Sequence, residues 1–446
     1  MDAERWQERI GELERENAEL RQALSAALAR IDELERAGKR QAAPFGKEPA
    51  QKIPPAQQKQ RGRPKGHPGA NRPRPPEVHR EIVEPLECCP HCRGSVGNLR
   101  PITQYIEELP EIKPEVTRLT TFQGTCGCCG EVHSRHPLQT SFAIGAAKVM
   151  LGPQALANIV HLKSMGLTIA KISRLFADLF HLKITAGGVQ HILRRVAGKL
   201  AGSYQALQEQ IRASSVVYAD ETSWYVGERG PWLWVFTTPR YTLFHVNRSR
   251  GGPVAEKILG ADFAGVLVTD CASMYLRFAC EQVKCLAHHL QRLKQLRLLP
   301  KTTDPTYLDA WERFWKDVLR LHKARDGLSE GAFHKARAEM EARFATLLTQ
   351  EVTQPGDRKF RTRMENLGRH RVTCLYHPEA EATNNRAERA LRPAVIQRKI
   401  SCGNRTATGA RTWEIILSLA VTAYQQGRDF VRELALQTLP VPALAD

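Results

Sequence analysis

The sequence lacks any long apolar run. No stretch of its 446 residues approaches the roughly 18 apolar residues that a membrane-spanning helix needs. Its first residues, Met1 to Arg5, are too charged for a secretory signal. With 42% hydrophobic and 25% charged residues, the composition is that of a globular protein of about two to four domains with polar extensions. We therefore expect a cytoplasmic protein.

Cysteine is not scarce, but the sequence gives no reason to expect disulfides. Without a secretory signal, the 11 cysteines belong in a reducing compartment, where close cysteine pairs bind metal more often than they form disulfides. The chain is also long enough to bury a core without covalent staples. A small disulfide scaffold is therefore excluded.

Acidic residues are fewer than basic residues. Lys and Arg number 65 against 47 Asp and Glu, which gives a net charge of +18. The excess is uneven, because residues 1–38 carry a net −4 whereas residues 39–80 carry a net +9. This balance suggests a polyanionic partner, although charge alone does not separate specific from non-specific nucleic-acid binding.

Residues 1–38 are predicted to form a coiled coil. Apolar residues from Trp6 to Leu34 occupy alternating a and d heptad positions, and Asn17 takes the remaining a position. A lone Asn in this column can fix a parallel dimer, so we expect a homodimer or higher oligomer through this segment. The alternative is a single amphipathic helix that packs on its own protein. Either helix should end at Gly38.

Residues 39–80 form a basic, Pro-rich linker that cannot bury a core. Within it, the run from Arg61 to Lys65 resembles the core of an AT-hook, in which extended Arg-Gly-Arg-Pro lies in the narrow minor groove of A·T-rich DNA. Arg61, Arg63 and Lys65 are therefore candidate DNA-binding residues. A linker that touches only phosphates explains the charge equally well.

Two Cys-x-x-Cys pairs in residues 81–145 predict a structural zinc ribbon, with strand-like segments between them at 103–106 and 116–122. Each pair makes a tight turn that aims two sulfurs at one tetrahedral Zn²⁺, and four protein ligands leave no open position for catalysis. His91 or Cys128 can substitute for one ligand, and simple reduced thiols are the alternative. The predicted ligands are Cys89, Cys92, Cys126 and Cys129.

Residues 146–210 are predicted to be helical, because apolar residues recur at three- and four-residue spacing. Breaks are expected at Gly166 and at the Gly187-Gly188 pair. Short helices of this kind, with Arg194 and Arg195 near the end, fit a helix-turn-helix-like DNA-binding region. A helical connector between domains fits the pattern equally well.

Residues 211–425 carry the pattern of an α/β domain, followed by a C-terminal tail at 426–446. A helical insertion at about 300–355, with a core of aromatic residues, fills a long interval before the last motif. The order of strands 1 to 3, helix, strand 4, helix and strand 5 is that of the ribonuclease H-like fold. The predicted strands are 216–222, 232–236, 241–246, 265–270 and 283–287, with a helix at 254–259.

Strands 1 and 4 of this order lie side by side, and they carry Asp220 and Asp270 at their ends. A lone acid at a strand end usually forms a turn or caps a helix, but two at these places favour a shared divalent cation and require a third carboxylate. Glu388 is the candidate, since it is the one acid among seven cations in residues 386–411. It is either an ion-pair hub or a metal ligand beside phosphates. Asn384 is predicted to cap its helix.

With these motifs the sequence resembles the transposases of the insertion sequence 66 family. The resemblance covers essentially the whole chain and implies a DDE triad of Asp220, Asp270 and Glu388. The motifs that carry it are Ala219-Asp220-Glu221-Thr222, Thr269-Asp270, Asn384-Asn385, Ala387 to Pro393, Arg398-Lys399 and the helix around Ser418 to Tyr424, together with the heptads, the linker and the paired cysteines.

Two positions depart from the family pattern. Cys271-Ala272 stands where members often have Gly-Tyr, and His288-His289-Leu290 replaces a more basic Ala-His-Ala-Arg-type run. Neither departure removes a triad member. They leave the role of His288 open, with a packed or phosphate-facing histidine favoured over a metal ligand.

The resemblance implies a bacterial, nucleoid-associated enzyme that binds the terminal inverted repeats of its mobile element and target DNA, with element-encoded accessory proteins and no membrane partner. Its triad would hold two Mg²⁺ (or Mn²⁺) ions roughly 3.5–4 Å apart for 3′-end cleavage and strand transfer. Nearby cations would neutralise phosphates, or alternatively form a solvated basic face. These cations are Arg386, Arg389, Arg392, Arg398, Lys399 and Arg405.

Two other functions stay open. The protein can be a zinc-ribbon DNA-binding regulator whose nuclease-like domain is inert, or a dimeric scaffold that bridges DNA through residues 1–38. The intact acids at all three triad positions favour the enzyme.

Overall fold

A computed structural model gives the fold of the chain. The chain divides into two compact units, residues 1–110 and 111–446, each of which is described by itself. No described helix is long and apolar enough to cross a membrane. The described residues are 72–134, 149–298 and 302–438, with isolated positions between 11 and 22 and between 136 and 139.

Most of the predicted coiled coil and of the basic linker lies outside the described residues. Residues 15–20 are helical, and the Asn17 side chain donates a hydrogen bond to the Leu13 carbonyl at 3.1 Å. The pairing of two such helices therefore stays a prediction. The AT-hook-like residues Arg61, Arg63 and Lys65 also lie outside the described part of the chain.

The strands predicted between the two cysteine pairs are wrong. Residues 103–106 and 116–122 contain no regular secondary structure, and side chains such as Ile106 and Val116 are exposed. An extended segment becomes a strand only where another strand takes up its backbone hydrogen bonds and its apolar side chains find cover. Neither condition holds along these two segments.

A short antiparallel hairpin carries the second cysteine pair. Strand β1 (Gln123–Cys126) pairs with β2 (Gly130–His133), and Cys126 lies opposite Gly130. Gly130 has a φ of 73°, which a residue with a Cβ adopts only at a cost. The turn therefore brings Cys126 and Cys129 to the end of the hairpin.

Four helices follow, as the apolar spacing predicts. Gly166 separates the first two with a φ of 99°, but the break predicted at Gly187-Gly188 is wrong, because both glycines lie in the first turn of the third helix. That helix begins after Thr185, whose hydroxyl accepts a hydrogen bond from the Gly188 amide at 3.1 Å. The helices are α1 (Pro153–Ser164), α2 (Ile169–Phe180), α3 (Ala186–Lys199) and α4 (Ala201–Arg212).

A five-stranded sheet forms the centre of the second unit, in the order β5-β4-β3-β6-β7. The first three strands are antiparallel neighbours, whereas β6 and β7 run parallel to β3. The predicted strand order and the adjacency of strands 1 and 4 are confirmed. The strands are β3 (Val216–Val226), β4 (Glu228–Thr237), β5 (Thr242–Asn247), β6 (Val266–Thr269) and β7 (Gln282–Lys284).

The connections between these strands follow the expected order with one difference. Helix α5 (Gly252–Leu259) links β5 to β6, as predicted. The link from β6 to β7 contains only a short 3₁₀ helix, Ser273–Arg277, in place of the expected helix. The fifth strand is shorter than predicted, because helix α6 (Leu286–Arg297) begins within residues 283–287.

Helices cover both faces of the sheet and give two hydrophobic cores. Because side chains alternate along a strand, Val216 and Tyr218 of β3 enter one core, whereas Val217 and Ala219 enter the other. The first core contains the insertion helices, and the second contains α1 to α5. The sheet is therefore the middle layer of an α/β/α arrangement.

The predicted helical insertion is present, and its aromatic residues form a core, as expected. The indole of Trp311 is fully buried and lies within 6.3 Å, centroid to centroid, of five other aromatic rings. These helices are α7 (Pro305–Ala324), α8 (Glu330–Thr349) and α9 (Pro355–Glu365).

Three helices complete the described part of the chain: α10 (Asn385–Ser401), α11 (Ala407–Gln425) and α12 (Phe430–Thr438). The last lies within the predicted tail, and its Leu434 is buried in the second core. Helix α11 lies along the edge strand β5. Its side chains accept hydrogen bonds from alternate backbone amides of that strand: Thr242 to Thr422, Phe244 to Ser418 and Val246 to Glu414, at 3.0, 2.8 and 2.8 Å.

Replacing Trp311 with Ala should lower the free energy of unfolding by about 3–5 kcal/mol, because it removes the ring at the centre of the aromatic cluster and leaves a cavity. Urea denaturation followed by circular dichroism measures the change. The control is Leu328→Ala, at a largely exposed position of the same insertion, which should change stability by no more than about 0.5 kcal/mol. Equal effects of the two substitutions would contradict a rigid aromatic core.

Candidate active site

Two predicted acids come from neighbouring strands: Asp220 lies within β3, which continues past the predicted strand end to Val226, and Asp270 directly follows the end of β6. Tyr218 of β3 pairs with Val268 of β6 in a parallel ladder, and Asp220 and Asp270 each come two residues later. Residues two apart on a strand point to the same face, so Asp220 belongs to the face that holds the first core with Tyr218, and Asp270 comes two residues after Val268 of that core. The register between β3 and β6 therefore brings together the two acids that the sequence selected.

Glu388 reaches this place from the first turn of α10. The helix begins after Asn384, as predicted, but the Asn384 side chain does not cap it. The side-chain amide of Asn384 instead donates a hydrogen bond to the Ala219 carbonyl at 2.9 Å, one residue before Asp220. Asn384 is completely buried. This contact, between residues 165 apart in the chain, fixes the start of α10 against β3.

The three acids influence one another electrostatically. Burial, together with the negative charges of Glu221, Asp270 and Glu388, raises the pKa of Asp220 to about 8, against a hydrogen bond from the Glu221 amide that lowers it. The carboxylate oxygens of the three predicted acids do not all fall within 4.8 Å of one another. A single ion would therefore reach all three only after side-chain movement.

Backbone amides orient both aspartates. The Asp220 Oδ1 accepts a hydrogen bond from the Glu221 amide, and the Asp270 Oδ1 accepts one from the Ala272 amide, each at 2.9 Å. A buried cation lies behind them: the Lys284 Nζ donates to the Thr269 hydroxyl at 3.0 Å. Burial lowers the pKa of Lys284 to about 8.

A fourth carboxylate, Glu221, was not selected from the sequence as a site residue. It points to the opposite face of β3, where its Oε1 accepts hydrogen bonds from the Arg250 guanidinium at 2.8 and 3.0 Å. Its Oε2 accepts one from the Tyr275 hydroxyl at 2.7 Å. Burial raises the pKa of Glu221, and Tyr275 and Arg250 oppose that rise. Glu221 is thus fully engaged within the protein.

His288 lies beside the predicted triad. Its Nδ1 is 4.0 Å from the Glu388 Oε1 and belongs to a residue that is partly exposed. Its neighbour His289 is completely buried and stacks on Trp315 with ring centroids 4.4 Å apart. Burial lowers the pKa of His289 to about 3, so this ring is a neutral core residue at physiological pH.

The predicted phosphate-binding cations divide into two groups. The Arg386 guanidinium bonds Glu381 at 2.5 and 3.0 Å, and Arg398 bonds the hydroxyls of Thr222 and Ser223 at 3.2 and 3.1 Å. These two side chains hold α10 in place. The exposed side chains among the predicted set are Arg389, Arg392, Lys399 and Arg405.

Each predicted zinc pair forms a tight turn in its own unit. In the first, the Arg93 amide donates to the Cys89 carbonyl at 2.8 Å. The amides of Cys92 and His91 lower the pKa of the Cys89 thiol, and those of Cys128 and Cys129 lower that of Cys126. Amide donors around a sulfur favour the thiolate form, which is the form that binds zinc.

Replacing Asn384 with Ala should lower the free energy of unfolding by about 1–3 kcal/mol, because it removes a buried hydrogen bond between α10 and β3. Chemical denaturation measures the change. Asn385→Ala is the matched control, since Asn385 follows directly but is exposed. A loss at position 385 as large as that at 384 would contradict the role assigned to the Asn384 side chain.

Comparison with known proteins identifies the chain. Residues 148–412, more than half of it, match the family described as Transposase IS66 family. An uncharacterized protein of Sinorhizobium fredii (strain NBRC 101917 / NGR234), y4qI, is 25% identical over 256 residues. The match covers 50% of this chain and 47% of that protein, so the chain spans about half the length of this relative. The resemblance found in the motifs is confirmed, and the chain belongs to the IS66 family of transposases.

Proposed function

We propose that the protein is a DDE transposase that binds the ends of its mobile element and catalyses metal-dependent 3′-end cleavage and strand transfer. The observation that carries the proposal is that Asp220 and Asp270 each come two residues after a paired position of the parallel strands β3 and β6, with Glu388 close enough to raise the pKa of Asp220. The sheet order supports assigning the domain to the ribonuclease H-like fold.

The three carboxylates fit a hard divalent cation. They provide only oxygen ligands, and their mutual repulsion at Asp220 is what a bound cation would relieve. When bound, Mg²⁺ or Mn²⁺, in our proposal two ions per site, would neutralise charge on the reacting phosphate and activate the attacking water or DNA 3′-hydroxyl.

The protein itself positions this chemistry. The amides of Glu221 and Ala272 hold one oxygen of each aspartate, and Asn384 fixes the helix that presents Glu388. DNA with its reacting phosphodiester at the triad would lie along the exposed cations of α10 and of the turn after it. These cations would neutralise the neighbouring phosphates. We assign this part to Arg389, Arg392, Lys399 and Arg405.

The remaining partners are also proposals. Arg61, Arg63 and Lys65 would contact DNA from the linker, and residues 1–38 would join two copies into a dimer. Exposed Arg194 and Arg195 on α3, whose opposite face is buried, supply a further basic surface for the terminal repeats. We propose a cytoplasmic, nucleoid-associated enzyme that works with element-encoded accessory proteins.

Asp270→Asn, Asp220→Asn and Glu388→Gln should each reduce cleavage of a terminal-repeat duplex in Mg²⁺ by at least about 100-fold, because each removes a carboxylate ligand. The duplex is taken from the DNA that flanks the gene, and nicked product is measured on denaturing gels. Asp326→Asn, at an exposed acid of the insertion, is the matched control and should leave cleavage unchanged.

Two results would contradict the proposal that the protein cleaves DNA at this triad. Equal cleavage by the parent and the three triad variants would place the chemistry elsewhere. No cleavage by any of them, with correct ends supplied and DNA binding intact, would favour the inert regulator or the DNA-bridging dimer instead.

The protein purified without added metal should carry about one structural Zn²⁺ per chain, held by Cys89, Cys92, Cys126 and Cys129. Elemental analysis measures the zinc, and Cys126→Ser should lose it. Cys374→Ser, which removes a buried thiol of the catalytic domain, is the control. A folded parent protein without zinc would disprove the ribbon.

A further inference from the structure

Three potential metal-binding atoms of different chemistry converge beside the triad. The Cys285 sulfur, a ring nitrogen of His288 and a carboxylate oxygen of Glu388 all lie within 4.8 Å of one another. Among the described residues, this is the one group of three Cys, His, Asp or Glu side chains that meets this distance. Glu388 is thus a member both of the predicted triad and of this group with Cys285 and His288.

The local fold accounts for the convergence. Cys285 directly follows β7 and precedes α6, so His288, three residues later, lies in the first helical turn above it. Glu388 comes from the first turn of α10, and the two helix starts are joined because the backbone N–H of Asn384 donates to the Cys285 sulfur at 3.1 Å. The contact between Asn384 and Cys285 therefore places the first turns of the two helices, with His288 and Glu388, side by side.

The ring nitrogen of His288 lacks a partner. Its Nδ1 is buried from solvent and makes no hydrogen bond, and the nearest carboxylate oxygen, on Glu388, is 4.0 Å away. A buried polar atom left without a partner costs about 1–3 kcal/mol. A cation between the three residues would use this nitrogen.

Thiolate, imidazole and carboxylate together select zinc-like ions over Mg²⁺, which prefers oxygen alone. In a tetrahedral zinc site, ligand atoms at about 2.0 and 2.3 Å from the ion lie about 3.5 Å apart. Since the three atoms lie within 4.8 Å of one another, each pair needs to approach by no more than about 1.3 Å. Three protein ligands leave the fourth position for water.

We propose that Cys285, His288 and Glu388 form a second, inhibitory metal site for Zn²⁺ or a similar borderline-soft cation. Binding releases the Cys285 thiol proton to solvent and engages Glu388, which is then lost to the Mg²⁺ site. The binding itself follows from the geometry, whereas the inhibition rests on the proposed function.

Cobalt absorption tests the binding directly, because cysteinate–Co²⁺ charge transfer in the near ultraviolet requires sulfur ligation. Full-length parent protein and Cys285→Ser are titrated with Co²⁺, and the zinc ribbon contributes equally to both. The parent should show one additional thiolate-bound Co²⁺ per chain. The control is Cys402→Ser, which removes an exposed thiol and should match the parent.

A second variant guards against a folding defect at the buried Cys285. His288→Ala alters a partly exposed side chain, and it should weaken binding of the additional Co²⁺ by at least about tenfold. Circular dichroism checks that every variant is folded. Identical cobalt spectra for the parent and folded Cys285→Ser, or unchanged affinity in His288→Ala, would overturn the site.

The inhibitory effect is tested with the cleavage assay. Added Zn²⁺ should inhibit cleavage by the parent in Mg²⁺, and a higher Mg²⁺ concentration should relieve this inhibition. Cys285→Ser should need at least about tenfold more Zn²⁺ for the same fractional inhibition, measured relative to its own uninhibited rate. Unchanged zinc sensitivity would overturn the inhibition. Co²⁺ binding without any cleavage would overturn the proposed function alone, whereas cleavage without the additional Co²⁺ would overturn only this site.

Discussion

The register between β3 and β6 is the constraint on which the candidate site depends. A shift of one residue would turn every side chain of β6 to the opposite face and separate Asp270 from Asp220. The register is secured because both strands are buried on both faces, with Val216 and Tyr218 on one side and Val217 and Ala219 on the other. Hydrophobic packing therefore fixes the relative positions of the two aspartates.

The sequence was sufficient to predict the chain order of the strands and the adjacency of the two that lead to Asp220 and Asp270. The strands are short apolar runs bounded by turns, and their order along the chain limits the possible topologies. The insertion was equally accessible, since Trp311 and its neighbours recur at helical spacing. Glu388 was found through its motif and its isolation among cations, because nothing in local periodicity links it to residues far earlier in the chain.

Other features depend on contacts that no local pattern records. Asn384 looked like a helix cap, but its amide reaches a carbonyl 165 residues away. Glu221 stood next to Asp220 without any sign that Arg250 and Tyr275 would enclose it on the other face. The segments at 103–106 and 116–122 show the converse error, since strand-like composition does not supply a partner strand. Tertiary pairing decides such cases, and propensity alone does not.

The contact between α11 and β5 has a consequence for how copies of the protein can meet. An edge strand normally offers a row of unused amides that a strand of another molecule can join. Here Thr422, Ser418 and Glu414 already occupy the amides of Thr242, Phe244 and Val246. This edge cannot be extended by strand addition, so any contact between copies of the protein must use other surfaces.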